Sequence, residues 1–276
     1  IAEGFDARPD AELAGLLGHA DRRIRQEAQF ALAGRAKGPE GAEALAALGR
    51  VATTPAEGYG RLHAAWGLGQ ILRTGDDARR AQAAPTLLAL LKDGDPEVRA
   101  QAARALAESP ATPPAAILPL VGEDSPRVRL YAMVALARLA PSAEVVATIL
   151  DRIRDGDGVD PFLRSAAVSA LARGAGDADA KATLVEHAAD PSADVRMAVL
   201  RNLRKLDDPT VARFLDDVAP AIVLEAARCI VERPGMDEAL AKLAALADRR
   251  NLPEPLWRRI LTACEGPGAW SDPKAL

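Results

Sequence analysis

The stretch RLHAAWGLGQ, residues 61–70, carries a histidine, an indole and two glycines within ten residues. Histidine offers a proton acceptor or a metal ligand, tryptophan a flat apolar surface with one N–H donor, and glycine a backbone that a phosphate can approach. A dinucleotide loop needs G-x-G-x-x-G between a strand and a helix, and this stretch has a single GxG at Gly67 and Gly69. DRIRDGDGVDPFLR, residues 151–164, sets Asp151, Asp155, Asp157 and Asp160 around two glycines, an alternation by which oxygen ligands converge on calcium. Counted from Asp155, the fifth position is Val159, and Ala166 stands where a bidentate glutamate belongs. Asp160 therefore reads as a helix cap before Pro161. Zinc needs clustered thiolates and imidazoles, whereas His19, His63, His187, Cys229 and Cys264 are scattered. No serine or cysteine nucleophile stands in a recognisable frame. No catalytic, cofactor or metal residue is assigned, and the segment reads as non-catalytic.

What positions these residues is a chain of 276 residues with 3% aromatic content and a surplus of alanine and leucine. That composition suits closely spaced helices better than sheets. A net charge of −4 gives no general attraction to nucleic acid or anionic lipid. Of 35 basic residues only six are lysine, so guanidinium groups, suited to fixed bidentate pairing, carry most of the positive charge. No apolar run approaches the length that crosses a bilayer. The opening IAEGFDARPD has no initiator methionine and no signal pattern, and reads as the start of a segment of a longer protein. Cys229 and Cys264 form no CxxC motif.

The organising feature is a repeat. An arginine followed by a small or apolar residue at +3 and a leucine at +7 recurs in RQEAQFAL (25–32), RLHAAWGL (61–68), RAQAARAL (99–106), RLYAMVAL (129–136), RSAAVSAL (164–171) and RMAVLRNL (196–203). VLEAARCI (223–230) fits the same frame, ending on isoleucine. Starts are separated by 36, 38, 30, 35, 32 and 27 residues. Positions 0, 3 and 7 share one helix face, and the small +3 residue admits a close neighbour. Four residues before each arginine stand Asp21, Glu57, Asp95, Ser125, Asp160 and Ser192, five of them good N-caps. Upstream of each frame lies another amphipathic segment. The unit is a first helix, a turn and a capped second helix. The second helices are expected near 21–34, 58–72, 96–108, 126–140, 161–173, 192–206 and 220–232.

DPEVRAQAARAL and DSPRVRLYAMVAL resemble the second helix of HEAT repeats. The resemblance implies an all-α, right-handed α-solenoid of about seven to eight helix pairs. It covers 1–276 as a single array, with an irregular tail near 265–276. It also implies a ladder in which Arg25, Arg61, Arg99, Arg129, Arg164 and Arg196 reach acidic turns of neighbouring repeats, with Asp21, Asp95 and Asp160 as the acids. More narrowly, LLGHADRRIRQEAQFAL, RLHAAWGLGQ, DGDPEVRAQAARAL and IVLEAARCI together resemble the HEAT region of bacterial membrane-bound dehydrogenase-like proteins. In that family a β-propeller precedes the array and a c-type haem domain with CxxCH follows it; neither lies in this chain. The narrower resemblance implies a periplasmic or membrane-associated parent; otherwise the chain reads as cytoplasmic.

The remaining candidate is a surface. Positions +2, +5 and +9 of the second helices are expected to share an exposed face, which in HEAT arrays lines the inner wall. Along it lie Phe30, His63, Trp66, Arg104, Tyr131, Arg138, Arg173, Arg201 and Arg228. Aromatics followed by a row of arginines would suit a protein partner or a neighbouring domain of the same chain. Nucleic acid, membrane insertion and metal are not expected. His63 should be exposed on this ridge, Trp66 should rest part-buried beside Phe30, and Gly67 and Gly69 should sit where neighbouring backbones approach.

Overall fold

Alanine or valine at +3 beside leucine or isoleucine at +7 gives each second helix one face on which another helix can lie close. The computed structural model describes residues 4–55, 58–139, 142–157, 160–173, 177–233, 235–249 and 252–264. Among these the chain is helical throughout, with no strand. The helices fall into eight successive pairs: α1 (Asp10–Leu16) with α2 (Arg22–Ala36), α3 (Ala42–Thr53) with α4 (Gly60–Thr74), and α5 (Asp77–Leu90) with α6 (Pro96–Leu106). Next come α7 (Pro114–Ile117, continuing as a 3-10 turn) with α8 (Pro126–Leu136), α9 (Ala143–Arg152) with α10 (Pro161–Arg173), and α11 (Ala178–Glu186) with α12 (Ala193–Lys205). The 3-10 helix Pro209–Asp216 pairs with α13 (Pro220–Glu232), and α14 (Asp237–Ala244) with α15 (Glu254–Cys264). The tail 265–276 lies outside the described residues.

Every +3 and +7 residue of the seven aligned frames is buried, from Ala28 and Leu32 through Ala226 and Ile230, in one continuous apolar core. Each second helix also packs on the second helices before and after it, α2 on α4, α4 on α6, α6 on α8 and onward to α13. This stacking of like on like makes the architecture a solenoid.

Helix starts follow the caps. Asp21 accepts from Arg23 N, Asp95 from Glu97 N and Asp160 from Phe162 N, each at 2.8 Å. The Ser125 and Ser192 hydroxyls accept from Val128 N and Val195 N. Glu57 lies outside the described residues, and α4 begins without a side-chain cap. Two helices stop more than one residue short of the expected bounds: α6 at Leu106 and α8 at Leu136. There bonds from Glu108 N to Ala105 O and from Arg138 N to Ala135 O tighten the last turn into 3-10 geometry. The aspartate-rich stretch 151–164 opens as a single π turn, Ile153–Asp157, that ends α9 where Gly156 takes φ 119°. A positive φ of that size is open to glycine and costly for other residues. Gly158 and Val159 lie outside the described residues.

The arginine positions make a ladder whose acids differ from those the caps suggest. Arg25, Arg99, Arg129 and Arg196 each turn Nη1 back onto two carbonyls of the turn entering their own helix, at 2.7–3.2 Å. Among the described residues, three arginines also reach forward. Arg61 pairs with Asp93, Arg99 Nη2 donates to Glu123 at 2.6 Å, and Arg196 Nε donates to Asp217 at 2.7 Å. Arg164 takes the corresponding place on α10, half-buried. Asp21, Asp95 and Asp160 are not rung acceptors. Their carboxylates are committed to the first N–H groups of their own helices. The acceptors stand two residues earlier, at the apex of the turn, where a side chain can face the preceding repeat.

Candidate functional site

Packing on three sides leaves a second helix little free surface, and this decides which frame positions can meet a ligand. The +5 and +9 positions remain open, but most of the +2 line does not. His63 is 4% exposed and Gln101 2%, while Ala166 and Ala198 are buried as well. The expectation that His63 stands on an exposed ridge is therefore corrected: +2 turns toward the preceding repeat, and the imidazole lies between α2 and α4.

A histidine buried there needs partners, and the preceding repeat and its own helix supply them. His63 Nδ1 donates to Gln29 Oε1 on α2 at 2.8 Å, and its ring meets Trp66 edge-to-face with centroids 4.8 Å apart. Trp66 Nε1 donates to Gln101 Oε1 on α6 at 2.8 Å, Gln101 Nε2 donates to Glu97 at 2.8 Å, and Arg127 of α8 closes the series on Glu97. A polar relay thus crosses four successive second helices. Burial, with Arg25 and Arg22 nearby, pushes the His63 pKa down to about 4, so the ring is neutral at physiological pH.

Above this relay a groove of about 610 Å³ opens between α2, α4 and α6. Phe30, His63, Trp66 and Arg104 line it, as do Arg22, Arg25, Tyr59 and Arg73. Trp66 is part-buried on His63 and Gln101, and shares the groove wall with Phe30. Phe30 is 44% and Tyr59 59% exposed, so large apolar rings face water here. Among the described residues, none of the four groove arginines pairs with a carboxylate. Arg25 instead spends Nη1 on turn carbonyls and lies 4.6 Å from the Tyr59 ring, a cation–π contact. The groove's one carboxylate, Glu108, is held by Arg138 at 3.1 Å. The result is a cationic, aromatic cleft on a chain whose net charge is −4.

Other positions expected on the face are placed less tightly. Tyr131 lies under Arg127 and Arg104, 5.1 and 6.0 Å from their guanidinium carbons. Arg173 Nη2 points to the Arg138 carbonyl at 3.4 Å, which continues the edge onto α10. Arg201 on α12 and Arg228 on α13 lie farther along and outside the groove, and Arg228 is bound to Glu232. Sequence reasoning missed Arg22, Tyr59 and Arg73, which fall outside the +2/+5/+9 frame, and it read Arg25 only as a rung. Cys229 is buried and its thiol is pushed up to about 12, chiefly by burial, so it stays protonated. Among the described residues no cluster of three His, Cys, Asp or Glu could hold a metal ion. None of the described helices is long and apolar enough to cross a membrane.

Comparison with known proteins bears on the fold. The family described as HEAT repeats matches residues 46–122, 114–204 and 157–221. No curated protein matches the chain. Among solved structures, YibA of Escherichia coli is 19% identical, covers 94% of this chain and 93% of its own, and superposes with a TM-score of 0.52. The complex of CpcE and CpcF of phycocyanin lyase from Nostoc sp. PCC7120 is 18% identical over 93% of this chain and 94% of that one, with a TM-score of 0.45.

Proposed function

The chain belongs to the HEAT-repeat family, and we propose that it is a non-catalytic scaffold that docks a protein partner, or a neighbouring domain of its own polypeptide, along its second-helix face. The observation that carries this reading is the contrast between two sets of arginines. Ladder arginines such as Arg25, Arg99 and Arg196 are tied to turn carbonyls or acids, whereas Arg22, Arg73 and Arg104 in the groove meet no carboxylate among the described residues and stand near exposed aromatic rings. Arginine, tyrosine and tryptophan in a rigid, part-desolvated setting are the residues that dominate binding energy at protein interfaces. The groove's acid–base groups favour recognition over chemistry. Its imidazole is neutral and tied to Gln29, and its carboxylate is paired with Arg138.

Charge reversal tests the reading. Arg73→Glu with Arg104→Glu should abolish capture of partner from extracts of the source cells. Arg50→Glu, on the first-helix side at α3, should leave capture intact. Equal loss from both would place docking elsewhere or make it nonspecific. The alternative, that the chain is the HEAT segment of a membrane-associated dehydrogenase or cytochrome-type oxidoreductase, rests on the four resembling stretches; a propeller upstream and CxxCH downstream in the full-length gene would establish it.

A further inference from the structure

We propose that the groove between α2, α4 and α6 takes an extended acidic peptide segment that carries an aromatic side chain. This deepens the docking reading and rests on it. Charge complementarity is the first argument: Arg22, Arg25, Arg73 and Arg104 converge on one cleft with no carboxylate partner among the described residues. A guanidinium set that the protein leaves unneutralised, while it neutralises Arg61, Arg99 and Arg196, is matched by carboxylates from outside. Exposed rings are the second. Phe30 and Tyr59 present faces on which another ring can stack, worth more than area alone.

The third argument separates a peptide from other anions. Gln26 and Gln70 line the same groove, and no hydrogen bond involves their side-chain amides among the described residues. An amide that both donates and accepts matches a peptide backbone, whereas a phosphate or a bare carboxylate would use donors only. Beyond the cleft, Val134, Arg138 and Arg173 on α8 and α10 are exposed at the same +5 and +9 positions, so the face bears further side chains for a linear ligand. A long nucleic acid would meet the acidic remainder of a chain of net charge −4. A short segment confined to the cleft does not.

The test is calorimetric titration of the intact chain with an N-acetylated, C-amidated peptide of sequence Glu-Phe-Asp-Phe-Glu. Two control peptides are Gln-Phe-Asn-Phe-Gln, without charge, and Glu-Ala-Asp-Ala-Glu, without rings. The expected result is saturable binding with a dissociation constant below about 1 mM, weakened about tenfold or more by either control. Arg73→Gln with Arg104→Gln, both at exposed positions, should weaken it similarly at an unchanged thermal midpoint. No saturation, equal binding of the neutral peptide, or tighter binding of a single-stranded RNA decamer would overturn the proposal. If the peptide fails while partner capture remains sensitive to Arg73→Glu with Arg104→Glu, docking stands and the occupant assigned here is wrong. If the peptide binds while capture is insensitive, the occupant stands and the scaffold reading fails.

Discussion

The indole Nε1 of Trp66 donates to Oε1 of Gln101 across the boundary between the second and third repeats, 2.8 Å away. Neither residue is a contact of the 0/3/7 core. Together with Gln29, His63 and Glu97 they cross-brace the face that bounds the groove, and Gln29, His63 and Trp66 of this set also line it. Trp66 is thus both wall and brace.

A double-mutant cycle measures that brace. Trp66→Phe keeps most of the ring but strands the acceptor of Gln101, which is buried. The expected cost is about 1–3 kcal/mol, the penalty for an orphaned buried polar group. Gln101→Leu removes the acceptor as well. The double variant should recover about 1 kcal/mol relative to the sum of the singles in denaturant melts. Strict additivity would mean the bond contributes nothing.

Two glycines in second helices should respond oppositely to alanine. A Cβ on Gly69 would stand 3.0 Å from Ala105 Cβ and 3.4 Å from its Cα, where the neighbouring helix backbone cannot rotate away. A Cβ on Gly34 would meet nothing within 4 Å. Alanine gains about 1 kcal/mol of helix propensity, and overpacking costs about 1–3 kcal/mol. Gly34→Ala should therefore raise the thermal midpoint and Gly69→Ala lower it. A gain at both sites would remove the close approach of α4 and α6 from the account.

The ladder predicts an acid-dependent loss. Arg196 holds the Asp217 carboxyl below its ordinary range, chiefly by hydrogen bonding. Because the folded value is depressed, the stabilisation is complete above the ordinary aspartate pKa and is lost as pH falls through the folded value. Asp217→Asn should cost about 2 kcal/mol at pH 7, less than a fully buried broken pair. It should also remove one component of the loss below about pH 4. Parallel melting curves of wild type and variant from pH 7 to pH 3 would refute the rung.

His63 acts in a separate window. Its folded pKa is lowered to about 4 from 6.5, so the unfolded chain takes up a proton that the folded chain refuses. Stability from this residue is complete above pH 6.5 and falls as the pH drops from there toward 4. His63→Gln, which keeps a hydrogen-bonding side chain, should flatten the decline of the thermal midpoint between pH 7 and pH 5. An unchanged slope would mean the imidazole is hydrated and protonated in the fold.

The frame from Arg25 to Val223 was legible because alanine at +3 and leucine at +7 repeat wherever helices must stack. The caps were legible because each satisfies local N–H groups. His63 was not, since a single-helix wheel has one buried face and a helix inside an array has three. Only Gln29 and Gln101, on other repeats, make burial of the imidazole and indole N–H tolerable. The rung acids left a signal that the caps obscured. Asp93, Glu123, Asp190 and Asp217 all stand six residues before a frame position, and among the described residues rungs form from Arg61, Arg99 and Arg196, each of which has such an acid in the next repeat. Arg25 has Pro55 there. Asp190 is taken by Arg154. The groove cations could not be read in advance, because Arg22, Arg25 and Arg73 converge only once α2 and α4 are packed.

The central claim, docking along the second-helix face, is tested most directly by site-specific photocrosslinking in the source cells. A benzophenone amino acid would replace Phe30, at the groove rim, or Glu43, exposed on the first-helix side at α3. A discrete adduct from position 30, absent from position 43 and suppressed by Arg104→Glu, is the result expected. Adducts of equal yield from both positions, or from position 43 alone, would contradict the account.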